Sequence, residues 1–397
     1  MYLLALFALS GALTFALCYF TISVANRYRI GGGAVSSVQR LHSHWVPRLG
    51  GLAIFLSFTL ILQTTAQFYG LSSWHKWWLI ILPVFAIGLV EDFSARMSAA
   101  VRLLVTMLAG ATGIVVLSVS LHRLDIAALN WLLADSRYFA FAITALAIAG
   151  APHVINLIDG CNGLASFSAL VAFAALGAAA GEVHDSELVV FCVLNGGITC
   201  GFLAWNFPNG RIFLGDGGAY FLGFMLAELS ICLVARHQQI SVWFPVLLLA
   251  HPIWETLYAS TRRARKHGIF WIMRADNRHL HQLVYRRLAV PLARRWGIHD
   301  GSLANSFSAL PFWVVAIGEA TLGLIFYDQP DVLIACFLTS GVVYAISYRW
   351  LARYKLPNAR GGAHLTSPAS GSLVEYSAAI PTQLNTELKA DLHGPEV

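Results

Sequence analysis

Charge is what this sequence has least of. Asp, Glu, Lys and Arg together make up 12% of its 397 residues, about half the share in a soluble domain. That scarcity excludes an ordinary water-soluble fold. The six cysteines, Cys18, Cys161, Cys192, Cys200, Cys232 and Cys336, are scattered, and none forms a CxxC pair. Neither a zinc ribbon nor a disulfide framework is supported by such spacing. No internal repeat shows. The first apolar run, residues 1–25, has no basic stretch before it and no small-residue cleavage site after it. It reads as a membrane span and not as a signal peptide.

What the sequence does have is apolar length. Hydrophobic residues make up 57% of the chain, and they fall in blocks of the length that crosses ~30 Å of hydrocarbon as helix. Eleven spans are expected: 2–25, 50–69, 76–92, 99–120, 138–156, 164–181, 188–205, 217–235, 240–259, 303–326 and 331–350. The fold class is therefore an all-α polytopic membrane protein with about eleven transmembrane helices. Placing the loop 26–48 in the cytoplasm puts 22 of the Lys and Arg residues on one side and 4 on the other. By the positive-inside rule the N-terminus is then periplasmic and the C-terminus cytoplasmic. From about Pro357 the chain is rich in Gly, Ser, Thr, Ala and Pro, with little to bury. Residues 357–397 read as a disordered cytoplasmic tail.

The polar residues are not spread evenly. "LHSHWVPRLGG" (41–51), "GLVEDFSARMSAAVRLL" (88–104), "HVINLIDGCNGLA" (153–165), "WNFPNGRIFLGDGGAYFLGF" (205–224) and "RADNRHLHQL" (274–283) all fall on the side assigned to the cytoplasm. The outer loops are short and bland. Each cluster has a plain explanation when taken alone. Glu91 and Asp92 can be a solvated helix end. Asn156, Asp159 and Asn162, at every third position, can be helix caps. Asp216 among glycines can be a turn before a helix. His279 and His281 can be interfacial histidines or a zinc pair, although no third or fourth ligand is evident. Together, acids, basic residues and histidines on one face suit a magnesium and diphosphate site. A hard cation is held there by one or two carboxylates and completed by phosphate. Cationic side chains spread the charge on the leaving phosphate.

In order along 41–283, "HSHWVPRLGGLAIF", "GLVEDF", "NLIDGCNGLA", "FLGDGGAYFLGF" and "DNRHLHQL" resemble the motifs of the polyprenyl-phosphate N-acetylhexosamine-1-phosphate transferases. This group of glycosyltransferase family 4 includes phospho-N-acetylmuramoyl-pentapeptide transferase and the UDP-GlcNAc-using initiators of O-antigen and related glycans. Eleven spans resemble the O-antigen-type initiators more than the ten-span pentapeptide branch. The resemblance implies that 1–356 is a polytopic transferase domain with cytoplasmic catalytic loops, in the bacterial inner membrane.

It also implies roles. Glu91 and Asp92 match the acidic pair near the acceptor phosphate and metal, with Asp92 an orienter or a base. Asn156 and Asp159 match the nucleotide-binding segment, and Asp159 is a second metal candidate. Asn162 stands where the family has an Asp, which leaves it hydrogen bonding to the nucleotide. Asp216 matches the metal-binding Asp. Phe213 stands where an aromatic stacks on uracil, with Asn206 in the same pocket. His279 and His281, with Arg278 alongside, match the H-x-H signature that contacts diphosphate and sugar; Gln282 replaces a third His. The implied cofactor is Mg2+, or Mn2+ in its place. The implied partners are a UDP-sugar, a polyprenyl phosphate and the lipid bilayer, with no nucleic acid; a homodimer is left open. The expected reaction moves a sugar 1-phosphate onto the polyprenyl phosphate and releases UMP. A transporter or flippase of an anionic lipid or nucleotide sugar is the alternative from another class. The pentapeptide transferase is the alternative within the family. Glu91, Asn162 and Gln282 also raise a catalytically dead relative.

Overall fold

A computed structural model describes residues 1–31, 45–69, 74–94, 96–268, 278–298 and 301–353. The expected tail 357–397, His42 to His44 of the first motif and residues 274–277 of the last lie outside the described residues. Every regular element among the described residues is helical. The helices are α1 (Tyr2–Tyr28), α2 (Gly50–Tyr69), α3 (Trp74–Ser94), α4 (Ala99–Leu117), α5 (Ala127–Asp135), α6 (Arg137–Ile158), α7 (Leu164–Glu182) and α8 (Ser186–Asn206). After them come α9 (Gly215–Arg236), α10 (Trp243–Leu248), α11 (Ala250–His267), α12 (Leu280–Val284), α13 (Val290–Arg295), α14 (Gly301–Phe307), α15 (Leu310–Ile325) and α16 (Pro330–Arg353).

Nine stretches among the described residues are long and apolar enough to cross a membrane, α14 and α15 counting together as one. The other two expected spans take different forms. The stretch 50–69 is a helix whose described apolar part, Gly50–Thr65, is shorter. The stretch 240–259 is broken. Its helix stops at Leu248, Leu249 leaves helical geometry, and α11 restarts and runs on to His267. Pro252 accounts for the break, because a proline ring collides with the carbonyl four residues earlier, here that of Leu248. Beyond residue 259, α11 gains Arg262, Arg263, Arg265 and Lys266 and becomes a basic amphipathic helix.

The centre of the bundle is α9, buried from Gly215 to Val234. A helix apolar on every side has to be enclosed on every side, and α2, α3, α6, α7 and α8 all pack on it. Lipid supplies no hydrophobic drive between helices, so close packing of small residues matters more. On α7, Ala165, Ala169, Ala172, Ala175 and Ala179 are all buried. Glycine brings α3 against the start of α9. A Cβ on Gly88 would lie 2.7 Å from the carbonyl carbon of Asp216, so no larger residue fits without moving the helix.

Candidate active site

The start of α9 is also where the charges meet. Buried Asp216 accepts from Arg48 Nη2 on Oδ1 at 3.3 Å and from Arg102 Nη1 on Oδ2 at 2.7 Å. Arg102 Nη1 lies 3.6 Å from Glu91 Oε1, and Arg48 Nε lies 3.8 Å from Asp92 Oδ1. Arg48 precedes α2, Glu91 and Asp92 stand near the end of α3, and Arg102 is in the first turn of α4. Positions 168 residues apart are joined here.

Asp92 has a definite task. Its Oδ1 accepts the backbone N–H of Asp216 at 2.8 Å and its Oδ2 that of Gly217 at 2.9 Å. A helix begins with unpaired N–H groups, and a carboxylate from α3 pairs two of them here. Both oxygens are engaged, and they hold the turn that carries Asp216. Glu91 has one oxygen toward Arg102, while its Oε2 accepts the N–H of Met97 at 2.8 Å.

Asp159 follows the last turn of α6, half-buried. Desolvation pushes its carboxyl up to about 7, with Arg48 pulling it down and Asp216 adding to the rise. The next residue meets the histidines: a Cβ on Gly160 would lie 2.4 Å from His281 Nε2. His279 and His281 are buried, and Arg278 beside them is exposed. His279 Nδ1 lies 3.0 Å from Glu255 Oε1. Gln282 accepts the His279 backbone N–H on its side-chain oxygen at 3.2 Å, which makes it part of the helix start of α12.

The residues expected at the nucleotide are placed differently from one another. Asn156 is half-buried and bonds the Tyr220 hydroxyl. Phe213 is half-buried, and its backbone pins the Arg48 segment: its N–H donates to Pro47 and its carbonyl accepts from Gly50, each at 2.9 Å. Asn162 and Asn206 are buried brackets. The Asn162 N–H donates to Asn305 Oδ1 at 2.6 Å, and its amide donates to the Pro208 carbonyl and the Ser306 hydroxyl at 3.3 and 3.1 Å. Asn206 accepts the Gly163 N–H at 2.6 Å and donates to the Ile212 carbonyl at 2.8 Å. These carboxamides tie the loop after α6 and the loop after α8 to each other and to α14.

Known proteins match much of this chain. The family described as glycosyl transferase family 4 matches residues 74–234, which run from α3 to the end of α9. Over that stretch the chain is similar to this family. A Bacillus subtilis protein named probable undecaprenyl-phosphate N-acetylglucosaminyl 1-phosphate transferase is 29% identical over 69% of this chain and 75% of its own length. A Thermotoga maritima protein named undecaprenyl-phosphate alpha-N-acetylglucosaminyl 1-phosphate transferase is 25% identical over 63% and 72%. A phospho-N-acetylmuramoyl-pentapeptide-transferase of Levilactobacillus brevis is 35% identical, over 30% of this chain and about a third of its own length, 36%. The family 4 match contains Glu91, Asp92, Arg102, Asp159 and Asp216; Arg48 and the histidines lie outside it.

Among the described residues no three His, Cys, Asp or Glu side chains form a ready metal cage. Magnesium does not require one, because it commonly takes one or two carboxylates and keeps water or phosphate for the rest. Asp216 adds to the raised proton affinity of Asp159, and the two carboxyl groups are hard oxygen donors that fit this pattern.

Three residues were missed in the sequence. Arg48 and Arg102 counted only toward topology, although a single Arg in the apolar run "VRLLV" is itself a signal of function. Glu255 was an acid inside an expected span and carried the same signal.

Proposed function

We propose that this protein transfers an N-acetylhexosamine 1-phosphate from a UDP-sugar to a polyprenyl phosphate at the cytoplasmic face of the inner membrane. The observation that carries the reading is the meeting of Glu91, Asp92, Asp159 and Asp216 with Arg48 and Arg102 at one end of the bundle. Four carboxylates around two guanidinium groups leave an excess of negative charge, which a divalent cation would balance, and that cation with the guanidinium groups would in turn attract diphosphate. The GlcNAc-1-phosphate relatives align over about two thirds of the chain, which supports that branch and a product that starts a lipid-linked glycan such as O-antigen.

In the reaction an oxygen of the polyprenyl phosphate attacks the β-phosphorus of the UDP-sugar. The bond from that phosphorus to the bridging oxygen breaks, and UMP leaves. A phosphate monoester is largely ionised at neutral pH, its second pKa being about 6, so the acceptor needs no strong protein base. Asp92 holds the first turn of α9. Arg48 and Arg102 orient Asp216 and draw the phosphates toward it. Asp216 and Asp159 would hold magnesium, which neutralises diphosphate charge when bound. His281 meets the Asp159–Gly160 turn, and with His279 and Arg278 it would face the sugar and diphosphate.

The test is release of UMP from a panel of UDP-hexosamines with undecaprenyl phosphate and magnesium. Movement of a substrate across vesicles without UMP release would favour a transporter. The proposed orientation places a reporter after Arg353 in the cytoplasm and one within 121–137 in the periplasm; the reverse would overturn it.

A further inference from the structure

Glu255 sits on α11 with no exposed surface. Taking a carboxylate out of water is costly unless partners compensate, and packing alone would be served by an apolar residue. Its partners are histidines. Oε1 accepts from His279 Nδ1 at 3.0 Å and from the Leu280 N–H at 2.8 Å. Oε2 faces His281 Nδ1 at 3.9 Å and His251 Nε2 at 3.7 Å. The His279 and His281 rings are parallel within 3°, with centroids 5.5 Å apart.

The hydrogen-bond pattern sets the tautomer. A backbone N–H can only donate, so Oε1 is an acceptor, and the proton shared with His279 belongs to its Nδ1. Both Nδ1 edges turn toward the carboxylate, so both Nε2 edges turn away from it. The Nε2 of His281 then meets Gly160, beside Asp159.

We propose that Glu255 is the positioning residue of the histidine pair: it orients both rings so that their Nε2 edges serve the diphosphate-sugar site at the Asp159–Gly160 turn. The inference rests on the transfer reaction proposed above. A carboxylate that orients a catalytic histidine is not replaced by its amide, because the amide changes the tautomer while keeping the shape.

Glu255→Gln keeps an acceptor for Leu280 and places an NH2 group against His281 and His251. In detergent-purified full-length protein, E255Q should melt within a few degrees of wild type. Its kcat should fall at least about tenfold, the scale of lost outer-shell partners, with KM for the UDP-sugar nearly unchanged. Combined with His279→Ala and His281→Ala, E255Q should add no further loss, because a residue acting through those rings has nothing left to orient. Glu255→Asp should recover part of kcat. The 15N spectrum of histidine-labelled protein without substrate should show His279 protonated at Nδ1, and E255Q should shift His281. Wild-type kcat in E255Q, additive loss in the triple variant, or His279 protonated only at Nε2 would overturn the proposal. If wild-type protein releases no UMP from any UDP-sugar, the transfer reading fails, while the spectrum still decides the placement of the rings.

Discussion

The two ends of α9 use charge in opposite ways. At its start, Asp216 shares Arg48 and Arg102 with Glu91 and Asp92, and Asp159 lies within their field. At its far end, some 30 Å away by helical rise, the charges close on themselves. Asp185 accepts from Leu188 N at 3.1 Å, Arg236 at 3.3 Å and His237 at 3.0 Å, and Glu187 pairs with Arg236 at 3.0 Å. On the loop after α4, Asp125 accepts from Arg123, from the Ser241 hydroxyl and from the Val242 N–H at 3.1, 2.7 and 2.9 Å. These clasps fasten loops and cap helices, and the acids in them are held by partners within the clasp. At the other end the acids outnumber the bases. On the proposed reading a cation meets that surplus, whereas the clasps are satisfied by their own partners.

The largest expected effect comes from removing the central charge of the unbalanced end. Asp216→Asn keeps the shape and should lower kcat for UMP release roughly 10²- to 10³-fold, the scale for one lost electrostatic group, with the protein still folded. Near-normal turnover at low magnesium would break the contrast between the ends. Asp92→Ala should lower activity and stability together, because two N–H groups of α9 lose their acceptor. A buried group left unpaired costs about 1–3 kcal/mol, visible as a lower melting temperature in detergent. A variant that melts like wild type would return Asp92 to the role of base. Asn162→Ala should act mainly on stability, by about 1–3 kcal/mol, with a smaller change in KM for the UDP-sugar. A large KM effect at unchanged stability would instead restore the nucleotide contact expected from the motif.

The smallest effect belongs to the far end. Desolvation pushes the Asp185 carboxyl up, but hydrogen bonds from His237 and Leu188 and the Arg236 guanidinium outweigh it and hold it below its ordinary value. A depressed carboxylate stabilises the fold above its ordinary pKa, about 3.9, and that contribution is lost as pH falls through the depressed value. Asp185→Asn should leave UMP release unchanged and flatten the acid limb of a melting-temperature profile. A loss of turnover in this variant would mean that the two ends are coupled.

Much of the architecture was legible in composition. The apolar blocks announced helices, and nine of the eleven expected spans stand as stretches able to cross a membrane. The break at Leu249 was not read, although Pro252 was in view, because hydropathy averages over a window and does not register a lost N–H. The site was legible as a set of motifs but not as a division of labour. Asp92 also caps a helix and Asn162 also ties loops to α14, tasks that no motif spells out.

By itself the sequence determined the class and set an expectation for the orientation. Scarce charge, long apolar blocks and an uneven share of Lys and Arg are one-dimensional quantities, and the transfer of chain into lipid depends on them directly. The tertiary structure alone decided which acid meets which base. Arg48, Asp92, Arg102 and Asp216 are far apart in the chain and touch only because α2, α3 and α4 bring their ends to the start of a buried α9. Glu255 reaches His279 for the same reason: a hydrogen bond depends on distance in space, and no spacing along the chain encodes a contact between helices.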